Sequence, residues 1–323
     1  MQQHFWPAAL RRISFTLLAL AAAVTVRPVG AQYVCSRCLN GYRFLPSSLM
    51  GDPFATTHFT NATGGGLALD LTVPVRDLDG VVTDTIGGDV GFFLLDFEYQ
   101  KSIIPRLALR GTLSAVGRVG TNGESVVASG ASVQFGSSIG ATVPIWSNAT
   151  FAVSAVTDFR RRDQYVLDPY AFAQAIRDGG LTADTKAALL TTEKANHWSA
   201  GARGAWAPKD WLGVNTIIEA GRIDSPTAGD KSLTEFGLQV GFDFEHLWDF
   251  PVGTSLAWRE QAGPGRRGEF SGSFRSYELG LFYTGSEHFT IGTDFFWQRV
   301  LVERSVLPEL DAVQFRLVTR LEF

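Results

Sequence analysis

From Leu67 to Phe323 the chain repeats one pattern. Apolar side chains occupy every second position for about ten residues, a turn follows, and the pattern resumes. The last stretch is the clearest. Val313, Phe315, Leu317, Thr319, Leu321 and Phe323 share one parity, and Gln314, Arg316, Val318, Arg320 and Glu322 share the other. This alternation belongs to strands with one wet and one apolar face. Two arginines and a glutamate on the wet face suit a strand that lines a lumen and turns its other face to lipid. Beyond the N-terminal stretch there is no long apolar run, so such a chain could cross a membrane only as a closed barrel, which satisfies every backbone group internally.

The N-terminus carries an export signal in three parts. Arg11 and Arg12 are charged, Ile13 to Val26 are apolar, and Pro28-Val29-Gly30-Ala31 ends on a small residue, which predicts cleavage before Gln32. Fourteen apolar residues fall short of the roughly 20 that a spanning helix needs. The signal holds three arginines and no acid, so its removal takes the net charge from −4 to −7. An acidic mature chain is a poor candidate for nucleic acid.

A C-terminal strand ending in Phe323 resembles the closing strand of bacterial outer-membrane β-barrels, where the terminal motif serves as an assembly signal. The resemblance implies a Gram-negative-type outer membrane, contact with its lipid and lipopolysaccharide, and recognition by the barrel-assembly machinery through that strand. It implies an all-β fold, an up-and-down antiparallel barrel of about twelve strands. Two patterns agree. Counting back from the C-terminus, short and long connections alternate. Trp146, Trp206, Trp211, Trp248, Tyr283 and Phe323 all fall near short turns, as an interfacial girdle would.

Three segments are expected after cleavage: an irregular stretch 32–65, a barrel 66–323, and within the barrel a helical extracellular loop 161–196. Cys35 and Cys38 are the only cysteines, and an exported chain would join them in a small disulfide loop. The sequence shows no cofactor motif, and a metal site would need more ligands than this pair offers. Residues 39–65 show no sustained period. Tyr42, Phe44, Leu45, Leu49, Met50, Phe54 and Phe59 are apolar for a free tail, so a periplasmic tail and a lumen plug both remain open.

The inward parity is charged. Asp70, Asp96, Glu98, Asp158, Glu219, Glu235, Asp243, Glu278 and Asp294 share it with Arg110, Arg203, Arg259, Arg316 and Arg320. Cross-strand ion pairs could stiffen such an interior, or an excess of carboxylates could favour cationic solutes. Arg160-Arg161-Arg162 at the rim could meet lipopolysaccharide phosphates. His197-Trp198-Ser199 resembles the catalytic pair of the outer-membrane phospholipase, which that family places on the lipid side. Here Trp198 holds the outward parity, and the Asn and Gly that follow the family's Ser are Ala200 and Gly201. The reading is therefore a non-enzymatic channel for small solutes. Its alternatives are a plugged transporter of hydrophobic substrates and a structural or adhesion barrel with a sealed lumen.

Overall fold

The computed structural model describes residues 37–76, 82–121, 131–167, 190–225, 229–262, 271–303 and 310–323. Twelve antiparallel strands form a closed barrel: β3 (His58–Arg76), β4 (Val82–Ile104), β5 (Leu107–Gly120), β6 (Ala131–Ser147), β7 (Phe151–Leu167), β8 (Leu190–Lys209), β9 (Leu212–Ser225), β10 (Gly229–Asp243), β11 (Val252–Ala262), β12 (Ser271–Tyr283), β13 (Phe289–Glu303) and β14 (Leu310–Glu322). Each strand pairs with its sequence neighbours. The ring closes where β14 meets β3, with Glu322 opposite His58 and Val313 opposite Leu67. Closure leaves no strand edge unpaired.

Alternation governs the wall. Phe93, Leu113, Ile139, Trp198, Ile218, Leu256, Leu279 and Phe315 are exposed on the outside. Gln100, Arg110, Asp158, Arg203, Glu219, Glu235, Asp243, Glu278, Asp294, Arg316 and Arg320 are buried within. A polar inside and an apolar outside invert the soluble arrangement and match a lipid-facing barrel.

Aromatic residues mark two levels on the outer face. At the short-turn end Trp146, Trp206, Trp248, Tyr283 and Phe323 are exposed, and Trp211 stacks on Phe242 at 6.4 Å. Further along the strands, Trp258, Tyr277 and Trp297 lie directly opposite one another on three successive strands, and Trp198 pairs with Phe159. Six to eight residues separate the levels (Tyr283 from Tyr277, Trp206 from Trp198), about 20–26 Å along a strand. That is comparable to the ~25 Å apolar band of outer-membrane barrels.

The barrel begins eight residues earlier than expected. His58 to Gly65 are strand, paired with both β14 and β4. Gly64, Gly65 and Gly66 read as a turn in sequence but sit in the wall, where a β-carbon at Gly66 would lie 2.6 Å from the Phe92 ring. The 161–196 loop is shorter than expected too. Strand β7 runs to Leu167 and β8 starts at Leu190, so residues 161–167 and 190–196 of that loop are strand. Residues 168–189, where the helical order was expected, lie outside the described residues. The charges at 160–163 hid the alternation, because past the acyl zone the outer face need not be apolar. There Arg161 pairs with Asp163 at 3.2 Å.

Candidate functional site: a plugged lumen

The chain before β3 folds into the barrel. Strands β1 (Cys38–Leu39) and β2 (Tyr42–Arg43) make a hairpin across Asn40 and Gly41, both at positive φ (50° and 86°). An Asn-Gly pair suits such a two-residue turn, because Asn tolerates and Gly freely adopts the left-handed region. Cys38 is disulfide-bonded; Cys35, the other cysteine of the chain, lies outside the described residues.

Three short turns hold this segment. Asn40 N donates to Ala149 O at 2.6 Å, between β6 and β7. Arg43 donates to Ser286 O, between β12 and β13, and to Thr290 Oγ1 at the start of β13. A β-carbon at Gly41 would lie 3.2 Å from Asp210 Cβ, between β8 and β9. The plug therefore sits at the short-turn end of the lumen.

Apolar plug residues fit where the wall is small. Leu39, Tyr42, Phe44 and Phe54 pack with Ala152, Ala205 and Ala207. Leu45 packs with Ala62, Phe282 and Val318, and Leu49 and Met50 with Ile217 and Ala257. The Tyr42 ring fills the space of two missing side chains. Built β-carbons at Gly213 and Gly241 would lie 2.0 Å from its Cε1 and 2.2 Å from its hydroxyl. Interiors are close-packed, so the wall and the plug are shaped for each other.

Charge does the rest. Arg37 contacts Asp52 at 2.9 Å and Glu322 at 2.9 Å. Asp52 also takes Arg320, which reaches Glu322 at 3.4 Å. Two plug residues and two β14 residues thus form a closed ring of ion pairs. Burial alone would raise the Asp52 carboxyl. The guanidiniums of Arg37 and Arg320 outweigh it and hold that carboxyl below the usual carboxylate range. Burial pushes the Tyr42 phenol up. Beyond the ring, Ser48 N donates to Glu278 Oε2 at 3.1 Å and Arg259 to Leu49 O at 2.8 Å; level with it, Gln100 donates to Phe54 O and Thr56 O at 2.8 and 3.0 Å.

Most of the expected lumen residues pair with one another. Arg110 and Arg203 share Asp158, the second at 3.3 Å; Arg203 takes Glu219 at 2.8 Å. Arg259 pairs with Glu235, and Arg316 with Asp294 at 2.6 Å and Glu278 at 3.5 Å. Asp243 accepts from Thr284 Oγ1 at 3.1 Å, and Glu98 meets His58 at 3.0 Å. The side chain of Asp70 lies outside the described residues. Wall arginines thus take up Asp158, Glu219, Glu235, Glu278 and Asp294, while Asp96 keeps no ion pair among the described residues. Arg37, Arg43, Asp52 and His58 were not among the residues expected to line the lumen; they sit before residue 66, where no strand was expected.

A cavity of about 410 Å³ remains, bounded by plug residues 45–49 and 51–53 and reaching along β7 to Arg162. Nine arginines and four carboxylates line it; Asp158, Glu219, Glu235, Glu278 and Glu322 pair from behind with Arg37, Arg110, Arg203, Arg259, Arg316 and Arg320, so the least compensated charge lies at Arg160 and Arg162. Ser199 Oγ donates to Glu219 at 3.1 Å, and His197 Nε2 has no hydrogen-bond partner among the described residues, so the pair is not assembled as nucleophile and base. Among the described residues no cluster of His, Cys, Asp and Glu could hold a metal ion.

No protein-family model matches the chain, and no curated protein does. Among solved structures it is similar to the translocator domain of autotransporter NalP from Neisseria meningitidis, at 9% identity and TM-score 0.48, covering 98% of this chain and 96% of that one. It is similar to the β domain of the Bordetella autotransporter BrkA, at 12% identity and TM-score 0.47, covering 83% and 100%. It is similar also to the KdgM porin, at 8% identity and TM-score 0.38, covering 81% and 99%. By its closed topology, apolar exterior and charged interior, the chain is a transmembrane β-barrel with residues 37–57 in the lumen.

Proposed function

We propose that the chain is a plugged outer-membrane channel in its closed state, and that residues 37–57 are its gate. Export by a signal cleaved before Gln32 delivers it to the outer membrane of a Gram-negative-type bacterium. The assembly machinery takes it there by the C-terminal strand, and lipid and lipopolysaccharide surround it. The short turns then face the periplasm, and the plug closes that side.

The observation that carries the reading is the ion-pair ring of Arg37, Asp52, Arg320 and Glu322. Buried ion pairs are weak sources of stability, since apolar packing of equal volume does as well. They suit a contact that must be specific when made and soluble when broken. A segment that leaves the lumen meets water, where those four groups are well solvated. The arginine-rich cavity wall disfavours an apolar cargo and suits polar solutes.

Planar-bilayer recording tests this. The full chain carries little current, and deletion of residues 37–57 opens a steady conductance. Since that deletion removes packing too, Asp52→Ala supplies a second variant, expected to flicker open. A folded plug-deleted barrel without current at any voltage overturns the proposal.

A further inference from the structure

We propose that the cavity binds a compact oxyanion, a solute bearing a phosphate, sulfate or carboxylate group, at Arg160 and Arg162. The inference rests on the channel reading for its biological role and names the solute class of that lumen.

Strand parity splits the arginine triplet. Arg161 is paired with Asp163. Arg160 and Arg162 both line the cavity, with their Cα atoms about 7 Å apart along one face of β7. Arg160 reaches one carboxylate, Asp158, at 3.9 Å, and Arg110 and Arg203 hold that carboxylate more closely. Arg162 has no ion pair or hydrogen bond among the described residues. Two like charges this close, with one distant carboxylate on the far side of Arg160, repel each other, and a bound anion would relieve that repulsion.

The neighbouring strands leave room and hydroxyl groups beside the two arginines. Gly136 faces Arg162 and Ser138 faces Arg160 across β6 and β7. Beyond them on β5 stand Ser114 and Thr112. A side chain at Gly136 would close the gap, because its β-carbon would lie 2.2 Å from Ser114 Oγ. The Thr112 and Ser138 hydroxyls, 2.6 Å apart, can turn their protons to a guest. Paired guanidiniums with hydroxyl donors and an open volume between them are the chemistry of oxyanion recognition. Asp96, also in the lining, has no ion pair among the described residues and disfavours an extended polyanion.

The free-solute and lipid-headgroup sources share this chemistry, and the lumenal position favours the solute. Titration calorimetry of the full chain in neutral detergent, with inorganic phosphate as the probe, tests the site. Saturable binding is expected. R160Q/R162Q weakens it by at least about tenfold. G136V, which keeps both guanidiniums and fills the gap, weakens it too, while D96N tightens it. No saturable binding by folded protein, or unchanged binding by R160Q/R162Q, overturns the site. Displacement of phosphate by phosphatidylglycerol micelles overturns the free-solute assignment. The titration needs no passage, so binding without current in the plug-deleted barrel would sink the channel reading and leave the site standing.

Discussion

Arg37 and Glu322 stand 285 residues apart in sequence and 2.9 Å apart in the lumen. One belongs to the plug and the other ends the last strand. Next to them Phe323 N donates to Thr57 O at 3.1 Å, so both ends of the barrel-forming chain meet the plug at one place.

The ring around Asp52 predicts an acid-sensitive gate. The Asp52 carboxyl lies below its ordinary range in the folded chain. Its contribution is then fully present above the unfolded value of about 3.9 and is lost as pH falls below it. Current through the full chain should be unchanged between neutrality and mild acid and should rise below about pH 4. Asp52→Asn, which keeps the shape and removes the charge, should abolish that rise and leak at neutral pH. Bilayer recording over a pH series reads both.

The Tyr42 pocket predicts a compensating pair. Gly213→Leu should drive the ring out of the lumen and expose the plug to protease. Tyr42→Ala alone leaves a cavity, at a cost of about 3–5 kcal/mol typical of large aromatic truncations. The double variant should cost less than the sum of the two, because the new side chain fills the space the ring has left. Thermal unfolding of the four proteins in detergent gives the coupling.

The outer face predicts a polarity test. Ile139, 71% exposed on β6, is set among lipid-facing positions. Ile139→Arg should destabilise the barrel in vesicles by about 2–4 kcal/mol, the cost of arginine near the middle of the acyl zone. Tyr165→Arg, at an exposed outward position past the acyl zone, should cost far less. Reversible urea unfolding in short-chain lipid vesicles measures the difference.

How much of this the sequence carried depends on what enforced each feature. Lipid enforces parity, so Phe93, Ile139, Trp198, Leu256 and Phe315 announce their outward face, and Arg110, Asp158, Glu219 and Arg316 their inward one. Short turns next to Trp206, Trp248 and Tyr283 announce one end of the barrel. Strand extensions past the acyl zone obey no such rule, which is why Arg161 to Leu167 read as loop. The plug has no period, because its contacts are to many strands in turn and its closest charge partners lie far along the chain. Two local signs pointed at it. Asn40-Gly41 is a hairpin turn in an otherwise irregular stretch, and Gly213, Gly237 and Gly241 leave inward positions empty for Tyr42 and Met50 to fill.

The central claim, that residues 37–57 lie inside the barrel, can be read most directly with trypsin. Arg37 and Arg43 are 2% and 7% exposed, each tied to the wall by its guanidinium. In the folded, bilayer-embedded protein, cleavage after either arginine should be undetectable by N-terminal sequencing or mass spectrometry, and both sites should be cut once the barrel is unfolded. Prompt cleavage after Arg43 in the folded protein would contradict the account.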